Sequence, residues 1–520
     1  MSMKTTLKTL YNSADLDGKS DAAVGLFTLA VEDDVSPPMK SFNWVLITDR
    51  SGSMDVGTKM TRLETVKHTM KKMMEYFLKD AKERDAVHHV HILMFDHTVE
   101  HWDTVVDKET DISDALAKVA SISSGGATDI NKALMTAADK RLKKGNTKTA
   151  VVLLSDGEVT QGTTCHDTII SSLSSISVAA LEGCIGGMDS VTYAIMGYGS
   201  DHSVELLESM ASQCGGSYYC VEGIEGAGVC YGEVVHEVIF EKGRSGSITV
   251  SNGEIFDPIK CVWSDTIEIG TISSGKVYNW SLRKTELSED ITVSLNYIYI
   301  SDGEWHGGGD LTVTPKEPDI GQEDRECRLY ELRSRTLCLL RKARDHWHTA
   351  QNCLGLRRVS MRRPPRARLY DSDSDSDNDK LLTLPAPPHR EPQTETKAED
   401  SSPTRVLMKE MDDMMQELNG AKEKLGDDDG FISGLCDDIH VAQKALTSSN
   451  GYAYIVARHV SQGLQRAYNA SDLSDLMPGT VASNNNYVMS PGLTTPYLSR
   501  ETSAGAVLRE ISQSEDTEEL

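Results

Sequence analysis

Basic charge is scarce in this chain of 520 residues: 53 Lys and Arg stand against 79 Asp and Glu, a formal net charge of −26 at pH 7. Repulsion of that size opposes non-specific contact with nucleic acid or an anionic membrane, so neither is an expected partner. No apolar run approaches the roughly eighteen residues of a membrane-spanning helix, and Met1-Ser2-Met3-Lys4-Thr5-Thr6 lacks the apolar core of a secretory signal. The expected location is therefore the cytoplasm, with the nucleus as the alternative. Ten cysteines are spread over more than half of the chain without one Cys-x-x-Cys pair. That spacing argues against a disulfide framework and a zinc module, and buried reduced thiols are expected. The sequons at Asn279 and Asn469 carry no weight without a secretory route. Also missing are Gly-x-Ser-x-Gly, Gly-x-x-x-x-Gly-Lys-Ser/Thr and His-Glu-x-x-His, and no Ser-His-Asp or Cys-His constellation can be assigned. Catalysis has no visible seat, and a non-enzymatic chain is expected.

What is present begins at Asn43-Trp44-Val45-Leu46-Ile47-Thr48-Asp49-Arg50-Ser51-Gly52-Ser53-Met54, an apolar strand that empties into an Asp-x-Ser-x-Ser loop. In an open α/β sheet, ligands sit beyond the carboxyl ends of the strands. A carboxylate beside two hydroxyls suits a hard cation such as Mg²⁺ or Mn²⁺. Two further segments end in the same way. Ser123-Ser124-Gly125-Gly126-Ala127-Thr128-Asp129 is a flexible turn ahead of a helical pattern, and the buried-strand run Thr149 to Leu154 ends in Ser155-Asp156-Gly157-Glu158. Asp49, Ser51, Ser53, Thr128 and Asp156 then supply two carboxylates and three hydroxyls, too few anions for a closed cage and suited to an ion with an open position. Asp-x-Ser-x-Ser taken singly could be a helix N-cap; three segments in register favour the ion site.

This constellation resembles the metal-ion-dependent adhesion site of von Willebrand factor type A domains. The resemblance implies that Ser51, Ser53 and Thr128 bind the ion directly while Asp49 and Asp156 hold it through waters. It also implies a sixth position for an Asp or Glu of a protein partner. Arg50 departs from the pattern, because that position is more often small or apolar.

Along the chain, alternating strand and helix patterns predict a doubly wound, mostly parallel, Rossmann-like α/β domain over residues 42–240. The period changes to two over 245–316, which predicts a small antiparallel β-sandwich. Within the N-terminal segment 1–41, the run Val24 to Val31 is expected to add a strand to that sandwich. A helix follows over 320–353, through Leu329, Leu332, Leu337 and Ala343. Residues 354–404 form a linker that cannot bury a core, with an Arg cluster from Arg357 to Arg368 and an Asp/Ser tract. A helical C-terminal region is expected over 405–500, with a stripe at Leu407, Met411, Met414 and Leu418 and a helix around Ile439 to Leu446. The acidic tail 501–520 is expected to be disordered. With Gln465-Arg466-Ala467 and Thr494-Thr495-Pro496-Tyr497-Leu498, the layout resembles eukaryotic proteins that couple a type A domain to an intein-associated sandwich. The plant wavy-growth ubiquitin ligases are similar but carry a RING finger, whose cysteines this chain lacks.

Other clusters have plainer readings. The Arg cluster beside the Asp/Ser tract balances charge in a solvated linker, with a nuclear-import signal as the alternative; Ser372, Ser374 and Ser376 are candidate phosphorylation sites. Asp427 to Ser433 lacks two anchors of a calcium loop and is read as an acidic helix connection. His88, His89, His91, His97 and His101 are read as edge or surface histidines. The expected function is a metal-dependent protein-interaction scaffold. The alternatives are a substrate-recruiting accessory of ubiquitin transfer without its own RING, and a metallohydrolase using Glu158 as base. Partner identity and oligomeric state are open.

Overall fold

The computed structural model describes residues 3–9, 25–33, 39–57, 60–139, 142, 147–181, 191–199, 201–221, 224–284, 290–301, 304–313, 325–353, 403–446 and 451–465, with positions 507 and 511. Two strands come first, β1 (Met3–Thr9) and β2 (Gly25–Val31). The α/β region then runs β3 (Ser41–Asp49), α1 (Arg62–Arg84), β4 (Val87–Phe95), β5 (Val99–Val106), α2 (Ser113–Ser121) and α3 (Ile130–Ala138). It continues through β6 (Lys148–Ser155), α4 (His166–Leu181), β7 (Val191–Tyr198), α5 (Val204–Gln213), β8 (Ser217–Val221) and α6 (Ile224–Ile239). Next come β9 (Glu241–Ser251), β10 (Gly253–Asp257), β11 (Val262–Ser264), β12 (Thr266–Ile269), β13 (Ile272–Ser273), β14 (Val277–Lys284), β15 (Thr292–Ser301) and β16 (Glu304–Val313). Four helices follow: α7 (Arg325–Cys353), α8 (Pro403–Leu425), α9 (Phe431–Leu446) and α10 (Tyr452–Gly463).

The central sheet has the order β5-β4-β3-β6-β7-β8, parallel throughout except for the β4–β5 edge. Continuous apolar runs build its middle: β3 is buried from Phe42 onward and β6 along its whole length, as strands covered on both faces must be. Chain order reverses between β3 and β6, so their carboxyl ends flank a topological switch point. Helix α1 starts with a Thr61/Glu64 capping box, buries Leu63, Val66, Met70, Met73 and Phe77, and stops at Asp85 in the left-handed region. The Met-rich face is core.

Two antiparallel sheets, β1-β2-β14-β10-β11 and β12-β9-β15-β16 with β13 on β9, share an apolar core that includes Phe27, Leu29, Ile248, Val250, Trp280 and Leu295. The N-terminal segment gives this pair of sheets two strands rather than one. Strand β1 was not legible because its sequence, Met-Lys-Thr-Thr-Leu-Lys-Thr, is that of a polar edge strand burying Leu7 alone among its hydrophobic residues with described burial. Two buried ion-pair groups join the sheets to the α/β region. Lys148 and Arg244 both meet Glu241, and Lys276 reaches Glu233 at 3.3 Å and Glu237 at 2.9 Å on α6.

Helices α7 to α10 pack on one another, and α7 also covers β14 and β2. The stripe Leu407, Met411, Met414 and Leu418 is buried. Helix α9 begins at Phe431, earlier than expected, because the Asp427 carboxylate accepts from the Ile432 and Ser433 amides and caps it. The Gln465 side chain binds back to β14, accepting from the Asn279 amide at 2.9 Å and donating to the Asn279 carbonyl at 2.9 Å.

Three expectations need correction. His88 is fully buried, bonded to Trp44 and Asp80, and His91 is buried against Asp103, so these are core and not surface histidines. Cys165 is exposed and Cys214, Cys261 and Cys338 are half-buried, so not every thiol is packed away. Val507 and Ile511 of the acidic tail are buried in the main core, where one helical turn of spacing aligns them. The Arg cluster, the Asp/Ser tract and the motif at Thr494 lie outside the described residues. Among the described residues, no helix is long and apolar enough to cross a membrane.

Candidate metal centre

The site grows from the ends of β3 and β6. Asp49, the last residue of β3, has no solvent exposure. Its Oδ1 accepts from the Ser51 amide at 2.8 Å and its Oδ2 from the Ser155 hydroxyl at 2.6 Å. Ser51 and Ser53 place their hydroxyls 3.0 Å apart. Ser51 precedes the short 3₁₀ turn Gly52–Asp55 but makes no side-chain cap to it, which disposes of the N-cap reading of the motif.

The second loop is tied to the first by the backbone. Gly125 N donates to Arg50 O at 2.9 Å and Gly52 N to Gly126 O at 3.3 Å. Gly126 has φ +77° and a Cβ there would lie 2.4 Å from His97 Nδ1, so glycine is required. Thr128 is buried, with its amide donating to Thr160 Oγ1 at 2.8 Å and its carbonyl accepting from the amides of Thr160 and Gln161.

Asp156, one residue beyond β6, is buried and lies close enough to Asp49 to oppose its ionisation. Burial first, and the Asp156 charge second, push the Asp49 carboxyl up to about 7 despite its hydrogen bonds from Ser155 and Ser51. Gly157, at φ +69°, gives the turn that lets its amide reach Ser155 Oγ at 2.8 Å.

All five sequence-derived residues thus lie on three adjoining loops at the switch point. Three neighbours were missed. Ser155 holds Asp49, Thr160 holds Thr128, and Arg62 sets its Nη1 3.4 Å from Asp156 Oδ2 while also pairing with Asp201. Ser155 adjoins Asp156 and could have been included; Arg62 lies in a helix start with no motif of its own. The unusual Arg50 turns aside, its guanidinium meeting Glu100 at 2.8 Å and Asp96 at 3.3 Å. Among the described residues, no group of three or more His, Cys, Asp or Glu is arranged to hold a metal. Any ion here would rely on hydroxyls.

The profile of the von Willebrand factor type A domain family matches residues 44–158, the stretch that holds all three loops. This chain contains a von Willebrand factor type A domain. Solved structures similar to parts of this chain include a von Willebrand factor type A protein from Catenulispora acidiphila, with 13% identity, 67% of this chain and 82% of that one covered, and a TM-score of 0.42. Another is the ArnB paralog VWA2 from Sulfolobus acidocaldarius, with 13% identity, coverage of 89% and 99%, and a TM-score of 0.43. A third is proximal thread matrix protein 1 from the mussel byssus with a zinc occupied MIDAS motif, at 15% identity, coverage of 36% and 43%, and a TM-score of 0.28. At these scores the assignment rests on the family match. No curated protein matches the chain.

Proposed function

We propose that this chain is a non-enzymatic protein-interaction scaffold whose type A domain holds a Mg²⁺-type ion, Mg²⁺ or Mn²⁺, at Asp49, Ser51, Ser53, Thr128 and Asp156. One observation carries the reading: two buried carboxylates, Asp49 at the end of β3 and Asp156 just past the adjacent β6, lie near enough to repel each other, beside the paired hydroxyls of Ser51 and Ser53. The donors are all hard oxygens, as such ions require. A cation relieves the like-charge opposition that raises the Asp49 carboxyl, so the protein's own electrostatics fit the group. When bound, the ion supplies a Lewis-acid position for a carboxylate from outside.

In the resemblance, Ser51, Ser53 and Thr128 would contact the ion and the two aspartates would act through water. Ser155 holds the Asp49 carboxylate and Thr160 fixes the backbone of Thr128, which is the part of such a site that outer partners perform. The partner would present an Asp or Glu, and a net charge of −26 makes an unbridged acidic partner unfavourable.

Titration calorimetry on the full chain tests the site. Uptake of one Mg²⁺ or Mn²⁺ is expected, lost in Asp49→Ala. Because zinc occupies the motif in the mussel protein, zinc is titrated alongside. Proteins captured in Mg²⁺ should then be released by chelator and not retained by Asp49→Ala. No ion uptake by the native chain would defeat the reading.

A further inference from the structure

The loop that carries Ser51 and Ser53 continues into an apolar rim. Among the described residues eight large apolar side chains are exposed, and six of them are scattered singly over β5, α3, β11, β14, α8 and the end of α10. Single exposed apolar residues are ordinary on a surface. The other two, Val56 at 53% and Met60 at 38%, share one turn between the 3₁₀ segment Gly52–Asp55 and α1. That turn is held at both ends. The Arg62 amide donates to the Val56 carbonyl at 3.0 Å, and a Cβ on Gly57 would run into the Met60 carbonyl. Met54, wholly buried, anchors the 3₁₀ segment before it, and the Thr61/Glu64 capping box fixes the helix start after it.

Both ends of the turn also belong to the metal centre. Ser53, whose hydroxyl pairs with that of Ser51, lies three positions before Val56; Arg62, whose guanidinium reaches Asp156 Oδ2 at 3.4 Å, lies two positions after Met60. Val56 and Met60 therefore stand on the rim of the position left for a partner's carboxylate. The second loop offers no comparable bulk, since a Cβ on Gly125 would meet open space.

We propose that Val56 and Met60 are the specificity platform of the metal centre, selecting protein segments that carry a single Asp or Glu with a large aliphatic or aromatic side chain two residues away. The platform acts beside a bound ion, so it rests on the function proposed above.

Geometry sets the spacing. Ser53 and Val56 are three residues apart along a 3₁₀ turn, about 6 Å at a rise of about 2 Å per residue. In an extended segment, side chains two residues apart share a face and are separated by about 6.5 Å. A carboxylate on the ion thus brings the side chain two positions away over the turn. Charge sets the number of acids. Asp55 and Glu158 are both exposed beside the site, and the chain carries a net −26, so an acid not held by the ion is repelled. An apolar neighbour instead gains by covering Val56 and Met60.

The test selects short random linear peptides from a phage library on the full chain in Mg²⁺, with uptake of the ion measured first by calorimetry. Selected peptides are expected to carry one Asp or Glu with Leu, Ile, Met or Phe two positions away, and to be released by chelator. Synthetic copies should bind the double variant Val56→Ser/Met60→Ser about tenfold or more weakly than the native chain, with its Mg²⁺ uptake unchanged. Met135→Ser, which removes an exposed apolar side chain on α3, should bind them as the native chain does. Mg²⁺-dependent peptides without an apolar residue at that spacing, peptides rich in acids, equal binding by the double variant, or no peptide retained by the Mg²⁺-loaded chain would each overturn the platform and leave the metal centre standing. Absence of Mg²⁺ uptake by the native chain defeats the metal reading itself and the platform with it. If the double variant loses its ion, the peptides selected on the native chain still decide, since they report the spacing directly.

Discussion

Arg62 is the residue that most affects how tightly the proposed centre can hold an ion. Its guanidinium sits 3.4 Å from Asp156 Oδ2, so a positive charge already occupies the neighbourhood that a divalent cation would enter. Asp156 does not depend on it for position, because its Oδ1 also accepts from the Glu158 amide at 3.3 Å and its carbonyl from the Ser203 amide at 2.8 Å. Removing the arginine should therefore relieve repulsion more than it loosens the ligand. Even at the screening of bulk water, about 1 kcal/mol is at stake, at least a several-fold change in affinity. Arg62→Ala should tighten Mg²⁺ uptake several-fold by calorimetry; weaker uptake would show that Arg62 organises Asp156. At this scale the sequence revealed what lies within a few positions of a strand end: Asp49, Ser51 and Ser53 share one loop, and Asp156 follows a run too apolar to be anything but a buried strand. It did not reveal Arg62 or Thr160. Those contacts depend on how α1 and the turns pack, and residue spacing does not encode packing.

Between elements, the decisive joint is that of α6 with the β13–β14 turn. The Lys276 ammonium reaches both Glu233 and Glu237, and the side chains of Lys276 and Glu233 are almost wholly buried. Removing one partner of a buried pair leaves the other charged and desolvated, which typically costs about 3–5 kcal/mol. Lys276→Met should lower the unfolding free energy measured in urea by that order, and with it the midpoint, and adding Glu233→Gln should recover part of the loss. A midpoint unchanged by Lys276→Met would mean that the joint contributes nothing. Elements were legible where the apolar period was strong, as in β3 and β6. They were missed, or left undelimited within the helical region 405–500 as α10 was, where tertiary contacts make the element. Helix α10 is buried on nearly every face and so shows no polar stripe, and its Arg458 is neutralised by Asp438 at 2.9 Å, a partner on another helix. Strand β1 exists because the edge of β2 offers a ladder.

For the whole molecule, acid should be the sensitive direction. His88, His236 and His459 are all at least nine-tenths buried, and burial is the first cause that pushes each imidazole below its ordinary value. Arg84 reinforces this at His88 against Asp80, Lys276 does so at His236, and Arg344 with Arg341 at His459. A depressed histidine stays neutral in the fold but takes up a proton near pH 6.5 in the unfolded chain, so the unfolded state binds more protons below that pH. Stability is full above about pH 6.5 and falls as the pH drops toward the folded value, by about 1.4 kcal/mol per pH unit for each histidine. Asp49 works in the opposite sense in the metal-free protein, because its raised carboxyl keeps a proton in the fold that the unfolded chain has lost. Comparing variants separates the contributions. His236 is the clearest case, with neither ring nitrogen hydrogen-bonded and its ring stacked on Phe240 at a centroid distance of 5.0 Å, a space that phenylalanine fills. His236→Phe should therefore fold, and its unfolding free energy in urea between pH 6 and pH 5 should fall less steeply than the native chain's, by about 1.4 kcal/mol per pH unit. Parallel slopes for the two proteins would show that His236 already carries its proton in the fold, and the buried neutral imidazole would be wrong.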